Sequence, residues 1–84
     1  IELDLERLRP PPVFGWLSRT GNVAQGEMLR TFNCGIGMAV VARREQAQEV
    51  ADHLAKIGEP VMEIGRVATQ TGPERVTMRG TVAF

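Results

Sequence analysis

Residues 30–42 read Arg30-Thr31-Phe32-Asn33-Cys34-Gly35-Ile36-Gly37-Met38-Ala39-Val40-Val41-Ala42. Two glycines alternate with Ile36 and Met38 and lead into small and β-branched residues, the pattern of a loop entering a buried strand over 35–42. Directly after it, Ala47, Val50, Ala51, Leu54 and Ile57 recur at helical period, with Glu45, Gln46, Glu49, Asp52, His53 and Lys56 on the other side. This predicts a helix over 44–57, closed by Gly58 in a left-handed cap. Glu49 and His53, and Asp52 and Lys56, stand four apart and are expected to pair on its wet face.

Beyond the helix, Glu59-Pro60 opens a strand over 61–68, and Thr71-Gly72-Pro73 supplies turn residues. From Arg75 to Val82 the apolar Val76, Met78 and Val82 alternate with Arg75, Thr77, Arg79 and Thr81, which predicts a strand with one buried face. The last two strands are expected to form a hairpin, and a right-handed crossover through helix 44–57 would join strand 35–42 to strand 61–68.

On the N-terminal side, Val13, Phe14, Trp16 and Leu17 cluster at helical spacing before a left-handed stop at Gly21-Asn22. Met28, Leu29 and Phe32 mark a second short helix over 24–32, and the two helices should form a hairpin. Ile1, Leu3 and Leu5 alternate with Glu2, Asp4 and Glu6, as in a short strand with one buried face. Pro10, Pro11 and Pro12 then remove three backbone donors, so residues 1–12 read as an extended arm and Pro-rich spacer ahead of a folded unit over 13–84. A proline-rich ligand for an aromatic groove is the other reading of that run. Pro12 also suits the first position of a helix. The fold class expected is α+β: a partial mixed sheet of about three strands with one long and two short helices.

Composition narrows the function. The chain has 84 residues and 9.2 kDa, enough for one domain with a thin core. Ten Lys and Arg balance ten Asp and Glu, so no net charge attracts nucleic acid or an anionic membrane. A hydrophobic content of 43% with 24% charged residues fits a folded globular chain without a membrane span. With Cys34 as the single cysteine and no signal sequence before Ile1, a reducing, cytoplasmic compartment is expected.

Chemistry concentrates in the opening stretch. Glycine costs roughly 0.5–1 kcal/mol in a strand, so Gly35 and Gly37 need a reason, such as positive φ or close approach of another group. Backbone N–H groups there, with Arg30, Thr31 and Asn33 beside them, suit a phosphate. The alternative is that the glycines only let a helix pack tightly on the strand. A lone G-x-G is neither a dinucleotide fingerprint nor a P-loop, so local chemistry leaves both open. Cys34 as nucleophile lacks an assured activating partner, since the only histidine, His53, lies on the solvated helix face. His53 has no second ligand at metal spacing. Arg75 and Arg79 share a strand face and are read as solvated, Trp16 as a helix anchor, and Phe32 and Met38 as loop anchors in the core.

The string Glu27-Met28-Leu29-Arg30-Thr31-Phe32-Asn33-Cys34-Gly35-Ile36-Gly37-Met38, with Pro11-Pro12-Val13-Phe14 and Trp16-Leu17 before it and Glu59-Pro60-Val61-Met62-Glu63-Ile64-Gly65-Arg66-Val67 after it, closely resembles the C-terminal part of the phosphoribosylformylglycinamidine cyclo-ligases, or aminoimidazole ribonucleotide synthetases. That resemblance covers most of residues 11 to 80. It implies a fragment of a larger α/β domain in a cytoplasmic, homodimeric enzyme of purine biosynthesis. Such an enzyme uses ATP and Mg²⁺ to close the imidazole ring of formylglycinamidine ribonucleotide. By the same resemblance an N-terminal domain binds most of the ATP and metal, so these 84 residues alone are expected to be inactive. Asn33, Gly35 and Gly37 would face the interdomain cleft near substrate or phosphate, with Arg30 and Thr31 as weaker partners. The rival reading is a small β-α-β-β binding module with an anion site at Gly35–Gly37.

Overall fold

The computed structural model describes all residues 1–84. In chain order the elements are β1 (Glu2–Asp4), a 3₁₀ turn (Leu5–Arg7), α1 (Pro12–Thr20), α2 (Gln25–Thr31), α3 (Arg44–Lys56), β2 (Gly65–Arg66) and β3 (Thr77–Arg79). The architecture is α+β with a three-stranded mixed sheet in the order β2-β1-β3.

The alternation at the N-terminus does make a strand, and that strand is the middle of the sheet. β1 runs antiparallel to β2, with Glu2 opposite Arg66 and Leu3 opposite Gly65. It runs parallel to β3, with Leu3 opposite Met78 and Asp4 opposite Arg79. Residues 2–4, read from sequence as part of an arm, therefore organise both other strands. The expected hairpin between 61–68 and 75–82 does not form, because each of these segments pairs with β1 and not with the other. Both strands are also shorter than expected, two and three residues. Residues 35–42 form no strand, so the crossover predicted through α3 is absent. Alternation tells which faces a strand has and says nothing about its neighbour, and the ends of this chain meet at low cost in loop entropy.

Ion pairs accompany this register on the sheet. The Arg66 guanidinium meets Glu2 at 2.6 Å and Arg79 meets Asp4 at 2.8 Å, while Arg7 adds a contact to Asp4 at 3.4 Å. The arginines are mostly solvated, so each pair contributes only about 0–1 kcal/mol.

Under the sheet, Leu5, Leu8 and Val82 are buried together, with Leu3, Leu29, Ile36, Ile64 and Phe84 packed around them. The Val82 N–H donates to Gln25 Oε1 at 2.7 Å and ties the C-terminus to α2. α1 starts at Pro12, whose missing donor is harmless there. Its turn into α2 uses Asn22 (φ 50°) as the left-handed residue, whereas Gly21 stays right-handed (φ −86°). Phe14 and Phe32 meet with ring centroids 6.1 Å apart and tilted by 60°, and so close the helix pair. Trp16 departs from its expected anchoring role, being 57% exposed.

α3 forms where its period predicted, and Gly58 follows it at φ 87°. None of its residues is buried, however, and only Val50, Ala51 and Leu54 are half-covered. On its polar face Gln48 donates to Asp52 at 2.9 Å, in place of the pairs expected from Glu49 and Asp52. The molecule is a plate, 41 × 37 × 17 Å, with a radius of gyration of 14.3 Å where a compact chain of this length has about 12 Å.

Candidate functional site

The 30–38 stretch leaves α2 and turns sharply. Thr31 is the last residue of α2, and Phe32 is its extended C-cap. Residues 33–36 then make a tight turn in which the Ile36 N–H donates to the Asn33 carbonyl at 3.0 Å. Both central residues are left-handed, Cys34 at φ 52° and Gly35 at φ 93°. The Asn33 side chain supports this shape, its Oδ1 accepting the Gly35 N–H at 2.9 Å.

Cys34 holds the turn from below. Its side chain is buried, and Sγ donates weakly to the Met28 and Phe32 carbonyls at 3.8 Å. Desolvation by burial pushes its pKa up, which keeps it a protonated thiol. The wall beneath the turn is a cavity of about 240 Å³ lined mainly by apolar side chains, among them Leu5, Leu8, Leu29, Phe32 and Ile36. Such a lining is unsuited to a phosphate, so polar chemistry belongs to the outer side of the turn.

Of the five predicted site residues, Arg30, Thr31, Gly35 and Gly37 stand clear of that cavity, whereas Asn33 is among the residues that line it. Arg30, Thr31, Asn33, Gly35 and Gly37 are exposed, and no helix seals them. Arg30 has only a loose, solvated partner in Glu27 at 3.8 Å, so its guanidinium is available. The two glycines differ in their reasons. A Cβ on Gly35 would collide with the Pro11 ring, so that position combines positive φ with close approach of the chain ahead of α1. Gly37 has an ordinary φ and nothing within 4 Å of where a Cβ would stand. Neither glycine packs a helix onto a strand. The Gly35 N–H is already satisfied by Asn33, whereas the Gly37 N–H and the Asn33 amide nitrogen have no acceptor within the chain.

Other candidates resolve as structural. Arg79 is paired with Asp4, and the carbonyl of Arg75 accepts from the α-amino group of Ile1 at 2.8 Å. His53 is solvated on α3, and no three His, Cys, Asp or Glu side chains lie together as metal ligands. Phe32 anchors through Phe14, but Met38 is 83% exposed and anchors nothing. Sequence reading missed Pro11 as the partner of Gly35 and the Met28 carbonyl as an acceptor for the Cys34 thiol, Met28 being the one fully buried side chain. The run of three prolines ahead of α1 and the i, i+1, i+4 apolar set of α2 were the signals for them.

Residues 1–77 match the family described as AIR synthase related protein, C-terminal domain. The chain belongs to that family. The AIR synthase related domain occurs in an ATP-dependent enzyme superfamily, and the match takes in β1, all three helices and the 30–38 turn. It also includes residues 1–12, which pack with the rest of this AIR synthase related domain. No solved structure matches the chain. No helix in it is long and apolar enough to cross a membrane.

Proposed function

We propose that this chain is the part of a phosphoribosylformylglycinamidine cyclo-ligase that presents the Asn33–Gly37 turn to the substrate or its phosphate. The reaction read for the whole enzyme is transfer of ATP's terminal phosphoryl group to the formyl amide oxygen of formylglycinamidine ribonucleotide. The internal nitrogen then closes the imidazole ring, with release of ADP and phosphate. An amide oxygen leaves far better as phosphate than as hydroxide, and ring closure needs both ends held at near-attack distance.

The turn's part in this is to hold an anionic group in place. The Gly37 N–H and the Asn33 amide are neutral donors beside bare main chain, and the exposed Arg30 adds charge. Thr31 offers a hydroxyl at the end of α2. The residues here supply no cluster for Mg²⁺, and none is given a part in holding it. A cytoplasmic, homodimeric enzyme of purine biosynthesis goes with the same reading. The observation that carries it is the joint one: the family match extends over a turn whose Gly37 stands in open space with no demand from the fold.

The test is made in the catalytically active polypeptide that contains this chain and its ATP-binding domain. Asn33→Ala, which removes a hydrogen-bond donor to the anion, and Gly37→Val, whose side chain fills the open space beside the main-chain N–H, are each expected to lower kcat/KM for formylglycinamidine ribonucleotide by roughly tenfold or more. Unchanged turnover and substrate affinity in both variants would remove the turn from the site.

A further inference from the structure

The two halves of the chain hold each other through the sheet and not through the segment that joins them. β1 belongs to the first half, β2 and β3 to the second, and β1 lies between the other two. Across the same divide the Asp4 N–H donates to the Ile64 carbonyl at 2.8 Å, the Val82 N–H bonds Gln25, and Val82 is buried with Leu5 and Leu8. Met38–Ala42, the link between the halves, takes no part in this. It lies in no helix or strand, none of its backbone groups joins a backbone hydrogen bond, and all five residues are exposed. An endoprotease binds its substrate as an added extended strand, which requires such free N–H and C=O groups in a row. Ala39, Val40, Val41 and Ala42 also have the small aliphatic side chains that a narrow specificity pocket admits. Arg43 beside them is less open, because its carbonyl accepts the Gln46 N–H at 2.9 Å in the first turn of α3. Elsewhere, residues 59–63 are interrupted by Pro60, and residues 68–75 lie around a cavity shared with Ile1 and Glu2.

We propose that Met38–Ala42 is a cleavage site for an endoprotease selective for small aliphatic residues, and that the cut chain stays together as a two-piece fold. Hydrolysis adds one water across the peptide bond. The C–N bond breaks, the acyl carbon takes the water oxygen and becomes a carboxylate, and the nitrogen leaves as a new α-ammonium group. Both new charges stand in solvent, since the link is exposed on either side of every bond within it. The cut removes only the tether, which acts as an effective concentration of about a millimolar, so the sheet and the shared core keep the pieces paired at micromolar concentration. Residues 33–37 remain whole in the first piece, and the proposal does not depend on the ligand role of the turn.

Brief digestion of the 84-residue chain with an elastase-type serine protease, read by intact mass spectrometry, tests the site. The first products should be two pieces divided after Ala39, Val40, Val41 or Ala42, with masses that sum to the chain plus one water. At about 10 µM the pieces should co-elute in native gel filtration with the circular dichroism of the uncut chain, and should part in urea. Val82→Ala, which thins the shared core, should weaken their association by roughly tenfold, and the milder Gln25→Ala, which removes the acceptor of the Val82 N–H, by roughly threefold. Ala39→Asp, Val40→Asp, Val41→Asp and Ala42→Asp together should slow the first cut by tenfold or more. The urea midpoint of that uncut variant should stay in place, because the link supports nothing. First cuts spread over the helices or confined to another segment would overturn the proposal. So would pieces that part in native buffer, an association indifferent to both Val82→Ala and Gln25→Ala, or a lowered urea midpoint in the fourfold variant.

Discussion

The turn at 33–36 and helix α3 lie close in sequence, yet one is held by the rest of the molecule and the other is not. The turn is tied to α2 through the buried Cys34 thiol and the Met28 carbonyl, is closed by Asn33 and is backed by Pro11. α3 has a well-formed apolar stripe and buries no residue. Periodicity therefore specifies a helix without specifying its cover, while the turn owes its shape to contacts from three separate segments. A region so supported can keep a strained left-handed residue in place, and Cys34 is such a residue.

The sharpest way to test this contrast is to remove the fully buried side chain of α2, the helix the turn is tied to, and one residue from the stripe of α3. Met28→Ala is expected to cost about 2–5 kcal/mol, enough to unfold much of so thin a domain, as followed by urea denaturation. Leu54→Ala on α3, half-exposed in the monomer, should cost less than about 1.5 kcal/mol. Equal costs would mean that α3 is packed after all.

Within the turn the two glycines make a finer comparison. Gly35→Ala meets both a left-handed φ and the Pro11 ring, and should lower stability by more than about 1 kcal/mol in the same assay. Gly37→Ala, with open space around it, should change stability by less than about 0.5 kcal/mol. Reversal of that order would break the distinction between a glycine kept for shape and one free for a ligand.

Much of this was legible in advance, for identifiable reasons. Pro12 as a helix start, the stripe of α3 and the left-handed Gly58 are local signals, and local chemistry sets them. Pairing is not local. Val61–Ala68 and Arg75–Val82 read as each other's partners because a turn lies between them, but Leu3 stands between Gly65 and Met78. Residues 35–42 had a strand's composition and no neighbour to pair with. At the site, the need for glycine at 35 was readable, whereas its cause, Pro11, lay across the fold. The exposure of Met38 and Trp16 was hidden for the same reason, since apolar character does not say which side chains find a core.

The smallest expected effects are electrostatic. Asp4→Asn loosens contacts to Arg79 and Arg7 and should cost no more than about 1 kcal/mol, diminishing at high salt. Burial raises the Cys34 pKa above an ordinary thiol's 9.0, so the folded chain keeps this proton longer than the unfolded one. The stability due to this group is fully present below the unfolded thiol's pKa and is lost as pH rises through the folded value. Denaturation midpoints measured between neutral and alkaline pH should fall on the alkaline side, and Cys34→Ala should flatten that part of the curve.

Amide exchange at the turn in the active polypeptide, measured with and without formylglycinamidine ribonucleotide, bears most directly on the reading of this region. The Gly37 amide, which has no acceptor in the chain, should become strongly protected when the ribonucleotide saturates, while Gly35, already bonded to Asn33, should change little. Identical exchange at residues 33–37 in the two conditions would contradict contact between this main chain and the reactant.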